Sequence, residues 1–319
     1  MQHLVYAALL LPSLLTAATQ WVSIRTTDGA RMEGQIQTKS LRMQATEVRL
    51  DQILSVHNAA PASDFEKGRI EADLTAIQGS DRSARDAAVQ ELTAIGIPAM
   101  TPLLKTLKDT DQHEPRPLYR LFERLMPSYA DGFDRTLTLV RLKTGEALRG
   151  TLAEESLDVT PAGGQKVAIP WAKIRTLAVR QKIVKRSMLV HSLRHCTQIE
   201  YLDTGVELTA SSKVDATARG FVRLSWDTDS WASDANGLTK PGGPTYKSNL
   251  IDGHPFGALV GRVQSDGEVF FLGKKASKAG LRPGRLALAV NDNRHWQNNL
   301  GTFHVSMTVS DAYDLGDAQ

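Results

Sequence analysis

The 319-residue chain has a single cysteine, Cys196. No disulfide can form within it, so its domains must be held by packing or by metal. A lone cysteine with no catalytic partner nearby in sequence reads as a small buried apolar residue. Aromatic residues make up only 6% of the chain and the formal net charge is +3. The basic residues are scattered rather than banded, which argues against a nucleic-acid partner. The one dense basic stretch, Arg180 to Arg186, is interrupted by Ile183 and Val184 and reads as a solvated linker, with a polyanion or membrane-surface contact as the alternative. Beyond residue 15 no apolar run is long enough to cross a bilayer, so no transmembrane segment is expected. No Gly-Lys-Ser/Thr phosphate loop, His-Glu-x-x-His pair or Gly-x-Ser-x-Gly elbow occurs. The eight histidines are dispersed; His191 and His195 could share one side of a helix but have no evident third metal ligand. The expectation is a protein that is not an enzyme.

At the N-terminus an apolar run from Leu4 to Leu15 is broken by Pro12 and ends in small residues from Thr16 to Thr19. That layout predicts a secretory signal peptide over residues 1–18, cleaved near Ala17 or Ala18. No cysteine follows, so no lipid anchor is expected. The predicted location is periplasmic or extracellular.

An internal repeat follows. Ile24-Arg-Thr-Thr-Asp-Gly29-Ala-Arg-Met32-Glu-Gly34-Gln-Ile36 matches Val140-Arg-Leu-Lys-Thr-Gly145-Glu-Ala-Leu148-Arg-Gly150-Thr-Leu152. Gly145 lies 116 residues after Gly29, and Gly150 lies the same distance after Gly34. Each copy reads as strand, glycine turn, strand, because the Gly supplies the positive φ of a tight hairpin. A further strand closes each copy, in Val48 to Val56 and in Ile169 to Leu177. The expectation is two small β-barrel modules over 20–60 and 136–180, loosely resembling SH3-like or Sm-like mini-barrels. Each buries too little alone, so the two are expected to pair and share a core. Ile24, Met32, Ile36 and Ile53 should then meet Val140, Leu148, Leu152 and Ile174.

Between the copies the apolar period changes to three and four, as in Ile70, Leu74, Ile77 and again in Ala88, Leu92, Ile95. This predicts about four short helices over 64–132. The phrase Ala87 to Leu104 looks like a HEAT-type repeat, which would offer a surface to a protein partner; the simpler reading is a helical insert covering the β-modules. Residues 181–196 are expected to be a basic linker. From 197 to 310 short strands recur with turn chemistry between them, one turn falling at Ala218-Arg-Gly220, and 311–319 reads as a tail. The fold class is therefore multi-domain and mainly β: duplicated SH3-like modules flanking a HEAT-like helical insert, then a C-terminal antiparallel β-sandwich of jelly-roll type.

Three blocks of that last domain carry a resemblance. Phe256-Gly-Ala-Leu-Val-Gly-Arg-Val263, Leu288-Ala-Val-Asn-Asp292 and Asn298-Asn-Leu-Gly-Thr-Phe303 resemble the calcium-dependent galactophilic (PA-IL-like) bacterial lectins. Tyr201-Leu-Asp-Thr-Gly-Val206 resembles the opening strand of that wider family. The resemblance implies a Ca²⁺ ion held by Asp292, Asn298, Asn299 and Asp234, the last through a backbone oxygen. It implies a glycan or polysaccharide partner met by Asp292, Asn293, His295, Trp296 and Asn298. The oxygen-rich loop from Asn291 to Asn299 suits such an ion, although Asn-rich loops are also ordinary turns. That loop is one residue shorter than in the galactose-binding members. The family's sugar-reading His and Gln fall near Thr245, Tyr246 and Ser248, which do not retain them, so galactose specificity does not carry over. The alternative reading is a cell-envelope interaction protein whose sandwich binds no sugar.

Overall fold

A computed structural model describes residues 19–58, 61–109, 118, 121–122, 125, 137–197, 200–225, 231–238, 251, 253–264, 267–292 and 299–316. The expected signal peptide lies outside the described residues. The chain is mainly β and strongly curled. The first repeat copy forms β1 (Gln20–Thr26), β2 (Arg31–Ile36), β3 (Ser40–Met43), β4 (Thr46–Arg49) and β5 (Ile53–His57). The second forms β6 (Thr138–Leu142), β7 (Ala147–Gly150), β8 (Ser156–Pro161), β9 (Val167–Pro170) and β10 (Ile174–His191). In each copy one 3₁₀ turn, Leu50–Gln52 or Trp171–Lys173, precedes the last strand and buries its first residue.

The copies do not close on themselves. They exchange strands. β1 pairs with β10, and β2 pairs with β8. Reciprocally, β6 pairs with β5, and Met43 at the end of β3 bridges Leu152 just past β7. The amide of Gln44 donates to the Thr151 carbonyl at 3.1 Å, and that of Ala153 to the Arg42 carbonyl at 2.9 Å. Each hairpin is thus completed by strands of the other copy. The two last strands, β5 and β10, run antiparallel at the centre. The expected sharing of apolar residues follows: Ile24, Met32, Ile36 and Ile53 lie in one core with Val140, Leu148, Leu152 and Ile174. Exchange removes free strand edges that either copy alone would expose.

The excursion between β5 and β6 carries α1 (Asp64–Gln78), α2 (Arg82–Ile95) and α3 (Met100–Asp109). Ser63 opens α1 with a capping box: its hydroxyl accepts from the Glu66 amide, and Glu66 accepts from the Ser63 amide. The described helices share one core that includes Ile70, Leu74, Leu92 and Leu103. The expected fourth helix falls in 110–136, mostly outside the described residues. These helices form one cluster rather than stacked pairs, and nothing in them supports a HEAT-type repeat. They lie against the β-structure, tied to it by Glu66–Arg175, Glu91–Arg25 and Asp86–Arg262.

The stretch expected as a linker is strand as far as His191. Val184, Met188 and Val190 alternate inward. Apolar Ile183 and Leu189 on the outer face, and a basic residue at Arg186 on the inner one, hide that period in the sequence. β10 therefore passes unbroken from the barrels into the C-terminal sandwich, where it pairs with β17 (Leu300–Asp314). The expected 311–319 tail is likewise strand through Asp314. The sandwich continues with β11 (Leu202–Arg223), β12 (Ala232–Ser233), β13 (Leu259–Val263), β14 (Val269–Phe271), β15 (Lys275–Ala279) and β16 (Gly284–Val290). β11 pairs through Leu202–Leu208 with β16 and through its later residues with β17, and the curled sheet encloses a core containing Val214, Leu288 and Phe303. Cys196 is fully buried in it, as its lone status suggested.

The turn expected at Ala218-Arg-Gly220 is absent. β11 runs straight through it, with Gly220 opposite Phe303. Gly220 has φ +109°, and a Cβ there would sit 2.4 Å from the Thr302 carbonyl oxygen. The glycine serves a close strand crossing rather than a hairpin. β15 was not anticipated because Lys-Ala-Ser-Lys-Ala lacks an apolar face, as suits a charged edge strand.

Candidate functional site at the end of the sandwich

β16 ends at Val290 and β17 begins at Leu300, so the connecting loop sits at one end of the sandwich. Its two feet are described. Asn291, Asp292 and Asn299 are all essentially inaccessible to solvent, at 0–1% exposure. Asn293, His295, Trp296 and Asn298 lie outside the described residues.

Asn291 is a clamp. Its backbone pairs with Gly257 and Ala258, its Oδ1 accepts from the Ile251 amide at 3.1 Å, and its Nδ2 donates to the His254 and Pro255 carbonyls. It holds the 251–258 segment against β16. Asp292 is fixed through its backbone, which exchanges hydrogen bonds at 3.1 Å with the Thr197 hydroxyl. This leaves its carboxylate turned toward Asn299, whose Nδ2 donates to Asp292 Oδ2 and, at 3.1 Å, to the Ser192 carbonyl. The Ser192 turn is itself pinned to β17 through the Gly301 carbonyl. Cys196 bridges Val290 alongside.

Asn299 Oδ1 is buried and has no hydrogen-bond partner among the described residues. An unsatisfied buried carbonyl costs about 1–3 kcal/mol, and buried polar groups are normally paired. The Asp292 carboxylate and this amide oxygen are hard oxygen donors, of the kind Ca²⁺ takes. They have the donor chemistry of such a site, but two oxygens are fewer than the six to eight the ion takes, and it is the Asn299 nitrogen that faces the carboxylate.

The oxygens of Asp234 are engaged elsewhere. Its carboxylate is paired with Lys274 at 2.7 Å and accepts from the Asn236 amide at 2.9 Å. The hydrogen bond from Lys274 holds its carboxyl below the usual carboxylate range. Its carbonyl accepts from the Ser233 hydroxyl and the Gly237 amide. Asp234 closes its own turn, with the oxygen expected for the metal doubly used. Among the described residues, no group of three or more His, Cys, Asp or Glu side chains converges on a metal-sized space.

No known family matches the chain, and no curated protein does. Among solved structures it is similar to the N-terminal domain of EclA, a PllA-like lectin. That match has 21% identity and a TM-score of 0.31, and covers 41% of this chain and 98% of that one. A likeness of that degree carries no weight for function.

Two features of this end of the molecule were not legible in the sequence. Phe221 and Leu300 are exposed at 72% and 52%. The register sets Phe221 opposite Thr302 and Arg223 opposite Leu300, making Phe221 and Leu300 diagonal neighbours on the outer face. The other feature is the Ser192–Thr197 turn, which supplies a carbonyl and a hydroxyl to the loop's feet. It lies about a hundred residues away in sequence, and only the β10–β17 pairing brings it there.

Proposed function

We propose that the chain is an exported carbohydrate-binding protein that grips its ligand through a Ca²⁺ ion at the β16–β17 end of the sandwich. The observation that carries this reading is the buried pair of Asp292 and Asn299, with the amide oxygen of Asn299 left without a partner among the described residues. Asp292 would hold the ion by charge, and Asn299 would turn its carbonyl oxygen to it. The ion, when bound, would supply a positive centre that vicinal hydroxyls of a sugar can ligate. Asn293, His295, Trp296 and Asn298 would complete the ion's surroundings and meet the sugar. Exposed Phe221 and Leu300 offer apolar surface for a sugar's C–H face.

Calorimetric titration of the chelator-stripped full chain with Ca²⁺ tests the metal, and Asp292→Asn should weaken binding at least about tenfold by removing a charged ligand. No heat at millimolar Ca²⁺ would end the reading. A glycan array with and without chelator tests the sugar. Chelator-sensitive hits are expected, and a blank array favours the cell-envelope interaction protein instead.

A further inference from the structure

A cavity of about 390 Å³ lies where the exchanged barrels, the helices and the sandwich meet. Its lining is rich in arginine. Among the described residues its lining has six arginines against two glutamates. Five of the arginines have carboxylate partners: Arg25 with Glu91, Arg31 with Glu207, Arg69 with Asp73, Arg175 with Glu66 and Arg285 with Asp203. Arg141, on β6, has no ion pair among the described residues, and its Nε is buried without a hydrogen-bond partner. That Nε–H is left with a donor to offer.

Beside it stands His57. The His57 imidazole is kept neutral, with a pKa near 3, first by burial and then by the Arg141 and Arg285 guanidiniums. The Arg31 side chain is 45% exposed, which marks an open mouth to solvent.

We propose that this cavity binds a small oxyanion, a phosphate or sulfate group, with Arg141 as its principal anchor. The fixed fork of a guanidinium matches such an anion in two parallel hydrogen bonds. Arg285, paired with Asp203, also lines the cavity and adds positive potential there. The cavity is large enough for a phosphomonoester of a small organic group, so the anion need not be free. The site uses none of the residues at the β16–β17 end, so it stands or falls independently of the Ca²⁺ reading.

The test is calorimetric titration of the full chain with inorganic phosphate, sulfate and acetate, each against sodium chloride at matched ionic strength. Saturable binding of phosphate and sulfate, with acetate weaker, is expected. Arg141→Gln should weaken it by about tenfold or more, the usual cost of one charge-assisted hydrogen bond. Arg141→Lys keeps the charge, loses the fork and should fall between, and it decides the matter if Arg141→Gln fails to fold. Arg49→Gln, an exposed control, should bind as the parent does. The proposal is overturned if no saturable binding appears by about 10 mM, a concentration at which even a millimolar site would be filled. It is equally overturned if both Arg141 variants bind at parental strength.

Discussion

Val56 and Leu177 sit directly opposite each other where β5 and β10 pair, and each is the other's counterpart in the internal repeat. The flanking pairs are Ser55 with Ala178 and His57 with Thr176. Under the repeat's offset of 121 residues these two pairs exchange places, since Ser55 corresponds to Thr176 and His57 to Ala178. A local two-fold axis therefore passes between Val56 and Leu177. Strand exchange is what such an axis produces when two copies of one module interlock.

The first prediction concerns the lock beside that axis. Arg175 is 1% exposed and forks onto Glu66, with both hydrogen bonds at 2.7 Å. Removing one partner leaves a buried charge alone, which costs about 3–5 kcal/mol. Glu66→Gln or Arg175→Met should each lower urea-denaturation stability by that order. The double variant should be less destabilised than the two losses added. Additive losses would show that the ion pair is not a coupled unit.

Tyr313 is completely buried, and its hydroxyl has no hydrogen-bond partner among the described residues. Burial, together with nearby Glu33, pushes its ionisation well above the usual tyrosine range. Replacing that hydroxyl with hydrogen removes an uncompensated polar group. Tyr313→Phe should be neutral or raise stability by about 1 kcal/mol. A loss of more than that, in the same denaturation measurement, would mean the hydroxyl is satisfied in solution.

Two glycines with similar backbone angles separate conformation from space. Gly145 has φ +90° and open surroundings, whereas a Cβ on Gly220 would strike the Thr302 carbonyl. Gly145→Ala should cost about 1 kcal/mol, the ordinary penalty for positive φ. Gly220→Ala should cost clearly more, since β11 and β17 must move apart. Equal losses in melting temperature would sink the close-crossing account.

The fourth prediction is a pH dependence. The His57 pKa falls from 6.5 to about 3, so between those values the unfolded chain binds the extra proton. Its contribution to stability is present above about pH 6.5 and is lost on acidification, by at most about 1.4 kcal/mol per pH unit. Asp73 works in the opposite direction, because burial raises its carboxyl from 3.8 to about 6. Its contribution is present below about pH 3.8 and is lost as pH rises through 6. The two largely offset each other between about pH 4 and 6 in the parent chain. In His57→Gln only the Asp73 effect remains, so the stability difference between variant and parent should shift in the variant's favour as pH falls from 6.5 to 4. Melting curves that stay parallel across that range would refute the assignment.

Much of this was legible in the sequence because the signals are local. Gly29 and Gly145 each announce a hairpin by the positive φ their turns need. The helical period from Ile70 to Ile95 and the Ser63–Glu66 cap mark the helices within a few residues. Asp292 and Asn299 were legible as candidates because oxygen-rich loops are read residue by residue. The shared core of the two copies followed from an energetic argument, that neither buries enough apolar surface alone.

What the sequence could not show is everything set by pairing across long separations. It marked two copies but not that they exchange strands, since a strand's alternation is the same whichever partner it finds. It could not show that 181–191 is strand, because burial there is decided by β17, more than a hundred residues away. Asp234 was a candidate through its backbone oxygen, and the fold turns that carbonyl to the Ser233 hydroxyl and the Gly237 amide. The Arg-lined cavity has no motif at all, because its walls come from three parts of the chain and exist only once these have packed. Sequence by itself determined the local grammar of strands, turns and helices. Tertiary structure alone decided which buried polar groups found partners and which, like Asn299 Oδ1 and the Arg141 Nε, were left without one among the described residues, because hydrogen-bond satisfaction depends on what the completed fold brings within reach.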